Sequence, residues 1–183
     1  MDDIKRVCVF CGSSTGNNPA FVQQAKLFGK QLAAQNIGLV YGGGSVGIMN
    51  AVANGVITRG GEVHGVIPEH LNDREHAHQG LTALHITETM HERKAMMAEL
   101  SDAFVALPGG FGTFEELMEV ITWSQLGLHQ KPVIIYNIDG YYNGLIDFID
   151  QAAEADFISP QNRQLLNVAA SVEECLALLP RGE

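Results

Sequence analysis

The sequence predicts an α/β fold: a doubly wound parallel sheet with helices on both faces. Three observations predict it. Short apolar runs alternate with longer segments of helical period along the chain. The runs VCVF, GLVY, VHGVI, AFVAL and VIIY lack the polar alternation of a half-exposed sheet and fit strands covered on both sides. Three runs lead directly into glycine-bearing loops, Gly12 to Gly16, Gly42 to Gly47 and Gly109 to Gly112. Ligands of such sheets gather beyond the carboxyl ends of the strands, near a topological switch point. The three loops therefore share the edge where a site is expected.

The elements follow in order. Ile4 to Phe10 reads as a buried strand and Cys11 to Gly16 as a turn of small polar residues. Asn18-Pro19 is an N-cap followed by proline at the first helical position, opening a helix to about Gln35. Ile37 to Tyr41 is the second strand; the Gly42–Gly47 loop leads into a helix to about Arg59. Glu62 to Ile67 is the third strand, ended by Pro68. Residues 69–83 are polar, carry three histidines and show no period. That is long for a plain connection and marks the segment as functional or mobile. Leu84 to Ile86 is a short strand and Thr89 to about Leu100 a helix. Ala103 to Leu107, Pro108 to Gly112 and the segment from Thr113 form a strand, a tight loop and a helix. Lys131-Pro132 introduces the strand Val133 to Tyr136. Tyr141 to Glu154 is a helix, Ser159-Pro160 begins a helical turn, and Val172 to Leu179 forms the last helix. With no repeat, low-complexity tract or linker, residues 1–183 read as one Rossmann-like domain large enough for a substantial core.

Composition narrows the function. The formal net charge is −10, which disfavours nucleic acid and other polyanions as partners. Of the 11 basic residues, Arg74, Arg93 and Lys94 lie in the segment leading to the third glycine loop, a local concentration suited to a small anion. The first residues contain no signal-peptide core, and no apolar run approaches a membrane span, so a cytoplasmic location is expected. Cys8 and Cys11 match CxxC on paper, but they lie on a strand, where i and i+3 point to opposite faces; structural cysteines are expected. The histidines show no ligand spacing, so no metal is expected. Ser13, Ser14 and Ser45 lack a His–Asp partnership.

The Pro108–Gly112 loop is the richest in chemistry. Its glycines let backbone N–H groups approach a ligand, and the following helix start adds unpaired donors and the positive end of a dipole, which suits a phosphate. Glu115 and Glu116 follow one turn on. Two readings of Glu116 stand side by side. With Thr113 as N-cap it completes a capping box; alternatively, it is a carboxylate at the mouth of a site. At 100° per residue, Phe114, Leu117, Met118 and Ile121 form the stripe expected to face the sheet. Glu116, Val120 and Trp123 fall opposite, on a face covered by residues 69–83 or by a partner subunit. Gly42 to Gly47 fits GxGxxG with Glu62 about 20 residues on. Glu62, however, begins its strand, at the far edge from where a dinucleotide ribose would lie, so a mononucleotide is the better expectation. His91 to Lys94 reads either as a solvated charged face or as the source of a forked Arg93 contact to a phosphate or carboxylate.

The run Pro108 to Glu116, PGGFGTFEE, matches PGGxGTxxE, and the chain resembles the Lonely Guy (LOG) family of cytokinin riboside 5'-monophosphate phosphoribohydrolases, often labelled lysine decarboxylases. VCVFCGSS, LVYGGGSVGIM, GVIP, MHERK, EVITWSQLG and GYYNGL extend the resemblance in the family's order over nearly the whole chain. The resemblance implies hydrolysis of the N-glycosidic bond of an N6-modified AMP or of AMP, without a cofactor, by a homodimer. It implies Arg93 and Glu116 as the catalytic pair. It implies substrate contacts from Ser14, Gly43, Glu75, Met90, Arg93 and Lys94. Further contacts are implied from Gly109, Gly110, Phe111, Gly112, Thr113, Phe114, Glu115 and Glu116, and from Thr122. The stretch 72–83 is less typical of the family, so base selectivity transfers least there.

Overall fold

A computed structural model describes residues 4–71 and 78–180. The strands are β1 (Arg6–Phe10), β2 (Gly38–Tyr41), β3 (Val63–Pro68), β4 (Ala83–Thr87), β5 (Ala103–Ala106), β6 (Val133–Tyr136) and β7 (Leu166–Ala169). They form one seven-stranded sheet in the order β4-β3-β2-β1-β5-β6-β7, and every pairing is parallel. The predicted doubly wound sheet is present. Chain direction across the sheet reverses between β1 and β5, paired from Val7–Ala103 to Phe10–Ala106. The loops leaving these strands flank the switch point.

The helices are α1 (Pro19–Ala34), α2 (Gly47–Ile57), α3 (Met90–Glu99), α4 (Phe111–Gln125), α5 (Asn143–Glu154), α6 (Pro160–Arg163) and α7 (Val172–Ala177). Two apolar clusters lie on the two faces of the sheet. One joins Val7, Val9, Leu39, Tyr41 and Val105 to Phe28, Leu32, Val52 and Val56 of α1 and α2. The other joins Cys8, Phe10, Val40, Phe104 and Ile135 to Met97, Leu117, Val120 and Ile149 of α3, α4 and α5. Alternate residues of β1 thus serve opposite cores, which is why its run is apolar throughout. The same alternation sends Cys8 into the second cluster and Cys11 against the first. Cys8 is buried, as expected, whereas Cys11 is only partly so.

Three local expectations are corrected. β7 was not foreseen: the run LNVA is short, and Asn167 interrupts it. That side chain is satisfied by donating to the Val133 carbonyl at 3.2 Å. α4 begins at Phe111 with Gly110 at the N-cap, not at Thr113. Glycine at N-cap and N2 hid the first turn, because low propensity there resembles a loop. The buried stripe of α4 is Thr113, Leu117 and Val120. Val120 therefore joins the core instead of the opposite face, and Phe114, Met118 and Ile121 form a partly buried flank. The true capping box is on α3, where Thr89 accepts from the Glu92 N–H at 3.1 Å and Glu92 Oε2 accepts from the Thr89 N–H at 3.3 Å.

Candidate functional site

Three glycine loops reach the carboxyl edge of the sheet, and their hydrogen bonding distinguishes them. At α1, Asn18 Oδ1 accepts from the Ala20 N–H at 2.9 Å and Pro19 removes a donor. At α2, the Ile48 N–H donates to the carbonyls of Gly12 (3.0 Å) and Ser14 (3.3 Å), and the Met49 N–H to Gly12 at 3.3 Å. Gly47 (φ +61°) makes this close docking possible: a Cβ there would stand 2.2 Å from the Ser13 carbonyl carbon. The first donors of both helices are thus engaged within the chain. At α4 no side chain caps the start, and Phe111 and Gly112 are exposed. All three helix starts carry a dipole, but at this loop, in contrast to the other two, no side chain or carbonyl among the described residues is seen to take up the first N–H donors.

The loop before α4 is tightly set. A Cβ on Gly109 would fall 2.1 Å from Thr113 Oγ1 and 2.9 Å from the Gly12 N, so Gly109 is required by its neighbours. Gly110 and Gly112 differ. Neither has a positive φ, and a Cβ on either would meet nothing within 4 Å. The fold itself does not require glycine at these two positions.

Arg93 enters from α3. It is 6% exposed; its Nε donates to the Val66 carbonyl at 3.0 Å and its Nη2 to the Gly42 carbonyl at 3.2 Å. The ends of β2 and β3 therefore fix the guanidinium at the sheet edge. The solvated-face reading of His91 to Lys94 fails for Arg93. A cavity of about 250 Å³ brings Arg93 together with Cys11, Gly12, Ser13, Met49, Gly110 to Thr113, and Glu116. Glu116 is half-buried one turn into α4. The buried Cys8 thiol feels both charges: burial raises its pKa well above the usual value, the Glu116 carboxylate raises it further, and Arg93 lowers it. Because Thr113 is the third residue of α4 and not its cap, the capping-box reading of Glu116 is overturned.

Lys94 bridges α3 to α4, donating to Glu115 Oε1 at 2.5 Å and Glu119 Oε1 at 3.1 Å. Desolvation works against its charge, but the two carboxylates more than offset this and raise its pKa. Met90 Sδ lies 3.9 Å from Arg93 Nη1. Phe114 packs edge-on to Tyr142, with ring centroids 6.1 Å apart. Gly43 is not among the residues lining this cavity; its carbonyl accepts from the His78 N–H at 3.0 Å. Thr122, roughly 13 Å along α4 from Thr113 at 1.5 Å per residue, donates its hydroxyl to the Met118 carbonyl. Glu75 and Arg74 fall outside the described residues. Ser14 lines a second cavity of about 320 Å³, which shares Gly12, Ser13 and Gly110 with the first and is walled by Phe21, Ile48 and Tyr141. Sequence reasoning missed Ser13, Met49 and Tyr141 as lining residues. The only signal for Tyr141 was its place in GYYNGL. Glu62 sits at the opposite edge of the sheet, bonded to Arg6 and His64, which removes it from any dinucleotide role.

Fold and site together define a Rossmann-like α/β protein with an open helix start and a buried arginine beside a half-buried glutamate. Comparison with known proteins gives the family. A family model described as possible lysine decarboxylase matches residues 49–179. Cytokinin riboside 5'-monophosphate phosphoribohydrolase LOG1 of Arabidopsis thaliana is 50% identical over 183 residues, covering 98% of this chain and 86% of that protein. The probable phosphoribohydrolase LOGL6 of Oryza sativa subsp. japonica is 51% identical over 175 residues, covering 96% and 70%. The chain belongs to the LOG family. A molybdenum cofactor carrier protein from Chlamydomonas reinhardtii shares the fold at TM-score 0.71 and 22% identity, covering 97% of this chain and 95% of that one.

Proposed function

We propose that the chain hydrolyses the N-glycosidic bond of a nucleoside 5'-monophosphate, an N6-modified AMP or AMP itself, releasing the free base and ribose 5-phosphate. The observation that carries this reading is the pairing of Gly110 and Gly112 with Glu116. At an uncapped helix start, two glycines that the fold does not require leave room for a ligand, and a carboxylate stands one turn away. Relatives at 50% identity over nearly the whole chain are named for this activity.

The chemistry follows from charge. As the bond from C1' to the base nitrogen breaks, its electron pair leaves with the base and positive charge develops on the ribose. A fixed carboxylate at Glu116 stabilises that charge and accepts a proton from the attacking water, whose oxygen bonds to C1'; a proton is delivered to the leaving base. The 5'-phosphate, held by the N–H groups of Gly110 to Thr113, supplies binding energy remote from the breaking bond and fixes the anomeric carbon in place. Arg93, immobilised by two carbonyls, orients Glu116 and the ribose. In this reading Ser14 and Met90 border the nucleotide, and Lys94 holds Glu115 and the face of α4 in position. Lys94 does not suit the imine chemistry of a decarboxylase. Its two ion pairs raise its pKa, whereas an imine-forming lysine needs its neutral amine.

The working form in this reading is a cytosolic homodimer. Phe111 is 93% exposed, Leu126 66% and Leu128 70%, all on or beside α4, an apolar display suited to a second copy. Among the described residues no helix is long and apolar enough to cross a membrane. The test is incubation of the purified protein with AMP and with N6-isopentenyl-AMP, followed by chromatography of the bases. Base release is expected from at least one of them, and its absence from both would overturn the reading.

A further inference from the structure

Two adjacent tyrosines, far from the glycine loop in sequence, hold it from behind. Tyr142 donates its hydroxyl to the Leu107 carbonyl at 2.7 Å, and Tyr141 donates to the Gly109 carbonyl at 2.5 Å. The carbonyl between them, Pro108, accepts from the Gly12 N–H at 3.0 Å. Three successive carbonyls are thus each engaged by a named donor.

This arrangement has a directional consequence. A trans peptide places its C=O and N–H on opposite sides, and no peptide bond in the described chain is cis. The Gly109 carbonyl and the Gly110 N–H belong to one peptide unit. The Gly109 carbonyl accepts from the Tyr141 hydroxyl, and Gly110 borders both cavities, the larger with Tyr141 and the smaller with Arg93 and Glu116 but without Tyr141. The carbonyl side of this peptide therefore faces Tyr141, and its N–H faces away from it. A hydrogen bond accepted by a carbonyl also polarises the peptide, strengthening the N–H as a donor.

Tyr141 is itself well placed. It is 41% exposed, and its ring meets Phe21 edge-on at 5.4 Å and Tyr142 at 4.9 Å. Its phenol is thus held by aromatic neighbours while remaining outside the main core, and removing the hydroxyl leaves that packing in place.

We infer that Tyr141 is a positioning residue for the anion: through the Gly109 carbonyl it aims and strengthens the Gly110 N–H that grips the substrate's 5'-phosphate. It does not touch the substrate in this role. The inference rests on the nucleotide reading above, but it makes a separate claim about how an anion is held.

The experiment compares wild type with Y141F, using inorganic phosphate as the probe alongside nucleotide turnover. Phosphate affinity is measured by calorimetric titration, and KM and kcat with whichever of AMP and N6-isopentenyl-AMP gives the faster release. The expected result is a loss of phosphate affinity of about fivefold, the scale of one hydrogen bond. KM should rise by a similar factor, kcat should change less, and the melting temperature should barely move. A second variant, Y141L, removes ring and hydroxyl together and should weaken phosphate binding at least as much. Unchanged phosphate affinity in both variants overturns the inference, as does a wild-type protein that binds no phosphate. Absence of base release with intact, Tyr141-dependent phosphate binding overturns the hydrolase reading alone.

Discussion

Gly42 lies directly under the Arg93 guanidinium. Its carbonyl accepts from Nη2 at 3.2 Å, and a Cβ on Gly42 would stand 2.2 Å from the same nitrogen. The backbone there is not in the left-handed region, so alanine is tolerated by the chain but not by the arginine. Gly42→Ala should push Arg93 out of register with Glu116 while leaving the sheet intact. Displacement of a catalytic group by about 1 Å costs on the order of 100-fold. A fall of kcat/KM of that order, with a folded protein by circular dichroism, is expected; wild-type turnover would show that the position of Arg93 is immaterial.

How much of this was legible beforehand differs between backbone and side chains. The switch point needs the strand order, which the sequence left open, but strands β1, β2, β3, β5 and β6 announced themselves as apolar runs. β7 did not, because an asparagine occupies it and its compensating bond to Val133 comes from a distant strand. The PGGxGT run pointed to the correct edge, yet the start of α4 was placed at Thr113 because glycines at its first turn mimic a loop. Thr113 then looked like a cap, and Glu116 acquired a structural explanation it does not have. The sequence singled out the Pro108–Gly112 loop for its donors, but that the donors at the start of α2 are already engaged was not readable, since it depends on the Gly12 and Ser14 carbonyls meeting α2 across the fold. The same holds for Arg93. Local sequence gives a charged helix turn, while its burial depends on carbonyls 27 and 51 residues away.

Glu116→Gln separates chemistry from folding. Glu116 completes no capping box at the start of α4, and glutamine keeps its shape and its capacity to accept hydrogen bonds, so the melting temperature should stay within a few degrees. Base release should fall by about 1,000-fold or more, because a neutral amide neither accepts the water proton nor balances ribose charge. Phosphate binding, which in the proposed reading rests on backbone donors of α4, should persist. An active variant that melts much earlier would return Glu116 to a structural role.

Glu62 ties the opposite edge of the sheet and should leave a signature in acid. Its carboxyl is held below the ordinary value of 4.5, first by the hydrogen bond from His64 and then by Arg6, with burial opposing. A depressed folded pKa means that its contribution is complete above the unfolded value and is lost as pH falls through the folded one. The side chain is 41% exposed, so solvent screening keeps the effect small. Melting curves of wild type and Glu62→Gln should therefore lie apart by a few degrees near pH 7 and converge below about pH 4. Curves that stay equally separated through the acid range would mean that the carboxylate charge contributes nothing.

Gly112→Ala asks whether the space at the head of α4 belongs to a ligand. Gly112 is exposed at the second position of the helix, its φ is not positive, and a Cβ there would meet nothing within 4 Å. For the empty protein, alanine should be an improvement. Helix propensity and a less flexible unfolded chain together favour it by about 0.5 kcal/mol. For a chain of this length that raises the melting temperature by about 1–2 °C. For the loaded protein the added methyl occupies the approach to the Gly110–Thr113 amides. KM for the nucleotide should rise about 10-fold, in line with the loss of one or two charge-assisted hydrogen bonds. The two measurements are expected to move in opposite senses, a more stable and less effective protein, which is the mark of a residue kept small for what it binds. If stability rises and KM does not change, the phosphate lies elsewhere and the glycines of this loop have no ligand to accommodate.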